Sequence, residues 1–313
     1  MLKTVAVLPS LATLGNLVCG FGAIYVCLLS VRPGGADFRP DSLFPTYLAF
    51  AVYLLIAAMV FDGMDGRLAR FARKTSEFGG QLDSLADVVS FGLAPAVLVL
   101  CTVAPADISA LAGWERAIWR AQWVMAAIYV CCAALRLAKF NVENVADESA
   151  HVGFSGLPTP GAAAAIMGLV IFHQDLLKDL LKDLSAASNA LEWAMPPFAM
   201  ALGLLMVSRF PYPHLVNALL RRRRPFHQVV MIVILGLIAL VIQFQLTLSL
   251  AAVIYAFSGP VLYAVRRARG QSVGGDELVD TSAPDWTDQP ETFGEPDDLI
   301  ETDSDDETQR SAI

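Results

Sequence analysis

Cysteine and histidine are both scarce in these 313 residues, five of one and four of the other, and neither occurs in a metal-ligand spacing. No C-x-x-C is present, and the four histidines (His151, His173, His214, His227) form no pair. A zinc site is therefore excluded on pattern, and no histidine base is available in the first 150 residues. Charge is thin too, with 17% Asp, Glu, Lys and Arg against about 25% in ordinary globular chains. The N-terminus carries one lysine, Lys3, and no small-x-small cleavage site, so it reads as an uncleaved first helix and not as a signal peptide. No internal repeat is visible, which argues against the paired halves of a transporter.

What is present is apolar sequence. Hydrophobic residues make up 56% of the chain and mean hydropathy is +0.55, which points to a polytopic membrane protein. The five cysteines (Cys19, Cys27, Cys101, Cys131, Cys132) all lie in these apolar segments and read as embedded thiols. The net charge of −8 is concentrated at one end: residues 271–313 hold fourteen Asp/Glu and only Arg310 as a base. The preceding residues are mildly basic, with 21 Lys/Arg against 16 Asp/Glu. Two domains are expected, a membrane-embedded body over 1–270 and an acidic disordered tail over 271–313 whose composition has no helical period.

About 20 apolar residues cross a hydrocarbon core. Candidate spans fall at 10–30, 44–62, 83–104, 119–138, 158–175, 190–208, 226–243 and 246–265, so the fold class is an all-α transmembrane bundle of about eight spans. Every second connection is basic: Arg67, Arg70, Arg73 and Lys74; Arg136 and Lys139; Arg209 and the run 221–224; Arg266, Arg267 and Arg269. The positive-inside rule places those loops and both termini in the cytoplasm. Residues 1–9 read as a short interfacial piece ended by Pro9, and 141–160 as a polar loop.

The chemistry is concentrated in "FDGMDGRLARFARKTSEFGGQLDSLADVVSFGLAP", residues 61–95. Asp62, Asp65, Gly66, Ala69 and Arg70 step by three and four and share one helical face. Gly79, Asp83 and Asp87 step by four and share a face of the next helix. Opposed, the two faces gather four carboxylates whose mutual repulsion a divalent cation relieves, and hard oxygen donors suit Mg²⁺ or Mn²⁺. Four aspartates hold one ion, or two that share ligands, and a two-metal site fits displacement at phosphorus. The small residues Gly66, Ala69 and Gly79 leave room for close approach of a bulky ligand, and Arg70 and Ser76 are placed to meet phosphate oxygens. Simpler readings exist for each part: a membrane aspartate as a helix–helix hydrogen-bonding group or proton-relay member, small residues as close packing, and basic clusters as topology determinants. Four aspartates at this spacing, with Gly and Ala-Arg interleaved, go beyond those.

The same stretch fits D-x2-D-G-x2-A-R-x8-G-x3-D-x3-D at every fixed position, and so resembles the CDP-alcohol phosphatidyltransferase family. "GGQLDSLADVVSFGLAPA", "LRLAKFNV" and "FSGLPTP" resemble its phosphatidylserine synthase branch, of integral-membrane type. "LPSLATLGNLVCG" is similar to that branch's first helix but has Ser10 after Pro9 where asparagine is more usual. The resemblance covers about residues 8–270 and leaves out the acidic tail. It implies a six-helix core, here followed by a C-terminal hairpin. It also implies metal binding by Asp62, Asp65, Asp83 and Asp87, contacts to the CDP group of CDP-diacylglycerol from Gly66, Ala69, Arg70, Ser76 and Gly79, and Asp87 as base. A homodimer in the cell membrane is implied as well, with the site open to the cytoplasm and to lipid, and with no nucleic-acid partner.

The expected reaction joins L-serine to the phosphatidyl group of CDP-diacylglycerol. The fixed motif specifies the nucleotide half of the site, so glycerol 3-phosphate, inositol or its phosphate are alternative acceptors. Arg136 and Lys139, with Asn141, are candidates for meeting an acceptor carboxylate, and lipid-phosphate anchoring explains the two cations equally well. From another class, a cation transporter would use the aspartates without the Gly66, Arg70 and Gly79 pattern. Asp87, one turn beyond Asp83 and nearest the apolar depth of its span, suits a general base.

Overall fold

The computed structural model describes residues 7–32, 46–72, 77–105, 111–146, 156–177, 185–208, 210, 212 and 244–268. Among these there is no strand. The helices are α1 (Val7–Ser30), α2 (Tyr47–Ala72), α3 (Glu77–Asp87), α4 (Ala94–Thr102), α5 (Gly113–Ala146), α6 (Thr159–Ile171), α7 (Ser185–Val207) and α8 (Phe244–Ala268). A π-helical turn, Val88–Leu93, joins α3 to α4, and a second, Phe172–Leu177, continues α6.

Six of the described helical stretches are long and apolar enough to cross a membrane: Ser10–Ser30, Tyr47–Arg67, Phe78–Thr102, Gly113–Val142, Ala190–Val207 and Ser249–Ala268. They coincide with six of the eight expected spans. The fifth expected span, 158–175, is the 13-residue α6 with its π turn. Most of its side chains are buried, including Ala162, Ala163, Ala165, Ile166 and Met167, as expected for a helix apolar on all sides. The expected span 226–243 and the tail 271–313 lie outside the described residues.

Small residues let the helices approach closely, the usual means of association where lipid removes the hydrophobic drive between helices. Fully buried alanines (Ala23, Ala49, Ala51, Ala133, Ala199) sit between α1, α2, α5 and α7, while Leu11, Val18, Phe21 and Leu28 project from the other side of α1. At Gly168 on α6 an added Cβ would stand 2.6 Å from Ser249 Cα on α8. Gly20 on α1 meets Ser90, in the π turn, equally closely.

Two expected boundaries are corrected. The described part of α1 starts at Val7, so Pro9 sits in its first described turn and is continuous with the span that follows, while residues 1–6 lie outside the described residues. Proline is tolerated there because the first N–H groups of a helix have no intrahelical acceptor. Residues 141–146, expected to open a polar loop, belong to the last turns of α5. Asn141 holds this end against α3: its Nδ2 donates to Ser84 Oγ at 2.8 Å, and Ser84 Oγ donates to Gly80 O at 3.1 Å. Asn141 is thus engaged with α3.

Candidate active site

The C-terminal part of α2 and the second half of α3 bring Asp62, Asp83 and Asp87 together, with one carboxylate oxygen from each within 4.8 Å of the others. Asp62 lies beside Asp87, and Asp65 beside Asp83. Asp65 and Asp87 are buried, and Asp62 and Asp83 are half-buried. Helical steps of three and four account for the pairing within each helix, and the short connection between α2 and α3 accounts for the meeting of the pairs.

Helix α1 closes the cluster from a third side, which the motif gave no reason to expect. Thr13 Oγ1 donates to Asp65 Oδ2 at 3.1 Å. One turn on, Asn16 Nδ2 donates to Asp87 Oδ1 at 3.0 Å. Thr13, Asn16 and Gly20 at steps of three and four mark one polar and small face on an otherwise apolar helix, and that face was the available signal.

The π turn follows Asp87 directly, and Ala94 N–H bonds Val89 O in place of the α-helical acceptor. Such a turn frees backbone groups that need partners inside a membrane. Tyr129 on α5 supplies one, its hydroxyl donating to Phe91 O at 2.8 Å. Ser90 Oγ, in the turn itself, donates to Asn16 O at 3.0 Å.

Asp87 also lines a cavity of about 260 Å³ with Arg136, Thr159, Tyr212 and Tyr255. Its wall is pinned by backbone. Gly156, at φ +88°, gives its N–H to Phe210 O at 2.9 Å, and Leu157 N–H bonds Leu205 O at 3.1 Å. A side chain at 156 would be strained in that conformation and would meet Met206 O and Arg136 Nη1. Arg136 Nη1 donates to Met206 O at 3.2 Å, which fixes the plane of a guanidinium that carries five N–H donors. Burial pushes the Tyr212 phenol up to about 12, and its hydroxyl donates to Ala256 O at 2.8 Å. Lys139, exposed and less than one turn beyond Arg136, is not part of this lining.

The remaining sequence candidates are placed as follows. Gly66 is exposed on α2, and an added Cβ there would meet no atom of the described residues within 4 Å. No described residue fills the space beside that helix face. Gly79 is half-buried on α3. Ala69 and Arg70 fall in the last turn of α2, and Ser76 lies outside the described residues. All five cysteines are free.

The donors fit a divalent cation held through oxygen. Asp83 Oδ1 is buried and has no hydrogen-bond partner among the described residues, and the same holds for Asn16 Oδ1. Orphaned buried acceptors within a group of carboxylates are consistent with a site for an oxygen-liganded divalent cation.

Residues 6–205 match the family model described as CDP-alcohol phosphatidyltransferase. Relatives named CDP-diacylglycerol–serine O-phosphatidyltransferase include one from Helicobacter pylori, 34% identical over 164 residues, or 52% of this chain and 60% of the relative. One from Methanocaldococcus jannaschii is 32% identical over 52% of this chain and 64% of its own length. One from Saccharomyces cerevisiae is 32% identical over 50% of this chain and 51% of its own length. The matched region thus spans between half and two thirds of each of these relatives.

Proposed function

The chain belongs to the CDP-alcohol phosphatidyltransferase family, and from that premise we propose that it transfers the phosphatidyl group of CDP-diacylglycerol to L-serine, giving phosphatidylserine and CMP. One observation carries the reading: Asp87 belongs both to the carboxylate cluster and to the lining of the Arg136 cavity. A group at that junction faces the phosphoryl centre on one side and the acceptor on the other. The names of the relatives support serine as the acceptor. A single fixed guanidinium beside two tyrosines suits one small carboxylate.

In this reading the serine hydroxyl forms a P–O bond to the lipid-side phosphorus, and the P–O bond to CMP breaks. Asp87 takes the hydroxyl proton, since the cluster offers carboxylates and no histidine. Arg136 receives the serine carboxylate and orients the hydroxyl toward Asp87, while Lys139 stays at the rim. Asp62, Asp65 and Asp83, with Asp87, would hold the divalent ions, Mg²⁺ or Mn²⁺, which polarise the phosphoryl oxygens when bound. Gly66, Ala69, Arg70, Ser76 and Gly79 are assigned to the CDP group by motif match, and the lack of any described residue against the Gly66 Cα supports that assignment.

The reading includes the surroundings. The site lies at the end of the bundle that carries Arg67, Arg136, Arg266 and Arg267, which supports a cytoplasmic face in the cell membrane. A homodimer is part of it, as is a boundary near residue 270 that leaves an acidic tail outside the catalytic body. No nucleic acid takes part.

The test is purified protein with CDP-diacylglycerol and a panel of labelled alcohols. Serine should yield labelled lipid with release of one CMP per lipid formed. Lipid product from glycerol 3-phosphate, inositol or inositol phosphate in place of serine would overturn the acceptor assignment and keep the family chemistry.

A further inference from the structure

Asn16 is fully buried on α1, and nothing in the aspartate motif calls for it. Its amide nitrogen donates to Asp87 Oδ1 at 3.0 Å, and its own backbone carbonyl receives Ser90 Oγ at 3.0 Å. Gly20, one turn further along α1, permits that approach, because a Cβ there would stand 2.8 Å from Ser90 Cα. Asn16 is therefore held from both sides by the segment that carries Asp87.

The other half of the amide is unaccounted for by packing. Asn16 Oδ1 is buried with no hydrogen-bond partner among the described residues. Leaving a buried acceptor unpartnered destabilises the fold, and an apolar side chain of similar volume would join α1 to α3 without that cost. Retaining a donor aimed at one oxygen of one carboxylate indicates a role beyond joining helices.

We propose that Asn16 is the positioning residue for Asp87: by engaging Oδ1 it stops rotation of the carboxylate and leaves Oδ2 to take the proton of the acceptor hydroxyl. Free rotation would let both oxygens turn toward the neighbouring carboxylates and the ions they would hold. The fixed orientation distinguishes the one carboxylate that also serves as base from the three that would only hold metal, within a cluster of four chemically identical side chains. This rests on Asp87 being the base.

The test is a double-mutant cycle in the full-length protein, with Asn16→Leu and Asp87→Asn singly and together, and with Asn16→Asp as an isosteric control. Misplacing a reacting group by about 1 Å costs on the order of 10²-fold. Asn16→Leu and Asn16→Asp should each lower kcat by about 10- to 100-fold, with CDP-diacylglycerol affinity and melting temperature close to those of the parent. On the Asp87→Asn background, Asn16→Leu should change kcat by less than about 3-fold, because residues that act through one another are not additive. Additive losses would overturn the proposal. So would a kcat within about 3-fold of the parent for Asn16→Leu alone, or a loss of CDP-diacylglycerol affinity as large as the loss of kcat. The cycle is read with whichever alcohol the protein accepts, so failure of serine as acceptor is seen separately in the unmutated protein. An Asp87→Asn variant with parental kcat would show instead that the base assignment itself had failed.

Discussion

Asp87 on α3 and Arg136 on α5 line one cavity, although the first belongs to the carboxylate cluster and the second gives Nη1 to Met206 O. The acceptor reading makes Arg136 the group that recognises a carboxylate. A hydrogen bond to a charged group contributes about 1.5–3 kcal/mol, which converts to roughly 10- to 100-fold. Arg136→Gln should raise KM for serine by about that factor and leave CDP-diacylglycerol affinity nearly unchanged. Arg136→Lys should recover only part of it, because an ammonium lacks the planar fork. Steady-state kinetics with serine varied at saturating lipid nucleotide will show this. A KM unchanged by both substitutions would remove Arg136 from the acceptor site.

Asp87→Asn keeps the shape of the side chain and removes its capacity to take a proton. Positioned general bases contribute about 10²–10⁴-fold, so kcat should fall by at least 10²-fold while CDP-diacylglycerol binding weakens far less. Calorimetric or fluorescence binding measured beside turnover separates the two. Equal collapse of both would make Asp87 chiefly a metal ligand.

Removal of divalent metal should abolish activity, and re-addition of Mg²⁺ or Mn²⁺ should restore it. Asp62→Asn or Asp83→Asn should be inactive at any metal concentration tested, because each removes a charged oxygen donor from the cluster. Mn²⁺ binding followed by electron paramagnetic resonance gives a readout independent of turnover. Full activity in metal-stripped protein would contradict the assignment.

Close packing of α1 on the π turn gives a structural prediction. In Gly20→Ala the new Cβ would press on Ser90, 2.8 Å from its Cα. Overpacking of this kind costs about 1–3 kcal/mol, so a lower melting temperature in detergent is expected. At Gly22 the nearest atom to an added Cβ is Leu54 Cδ1 at 3.6 Å, an ordinary contact. Gly22→Ala should melt like the parent, and similar destabilisation of both variants would show that general helix flexibility matters more than this contact.

The sequence by itself determined the local pairing of the site. A helical period of 3.6 forces Asp62 and Asp65 onto one face and Asp83 and Asp87 onto another, and the short connection between the helices leaves the two faces little choice but to meet. It pointed to eight spans in the same way, and six of them coincide with described helices long and apolar enough to cross a membrane. Periodicity is silent, however, about which helix packs on which when a span is apolar all round. Tertiary structure therefore decided that α1 is the third wall of the cluster, through Thr13 and Asn16, two ordinary residues in an apolar run. It decided that Arg136 lines the cavity while Lys139, three residues on, does not, because less than one helical turn separates a side chain facing Gly156 from one facing outward. It also decided that Asp87 stands at the mouth of a π turn whose Phe91 carbonyl is met by Tyr129 from another helix. Partners so far apart in the chain meet only when the bundle is assembled, and the spacing of residues along one helix carries no record of them.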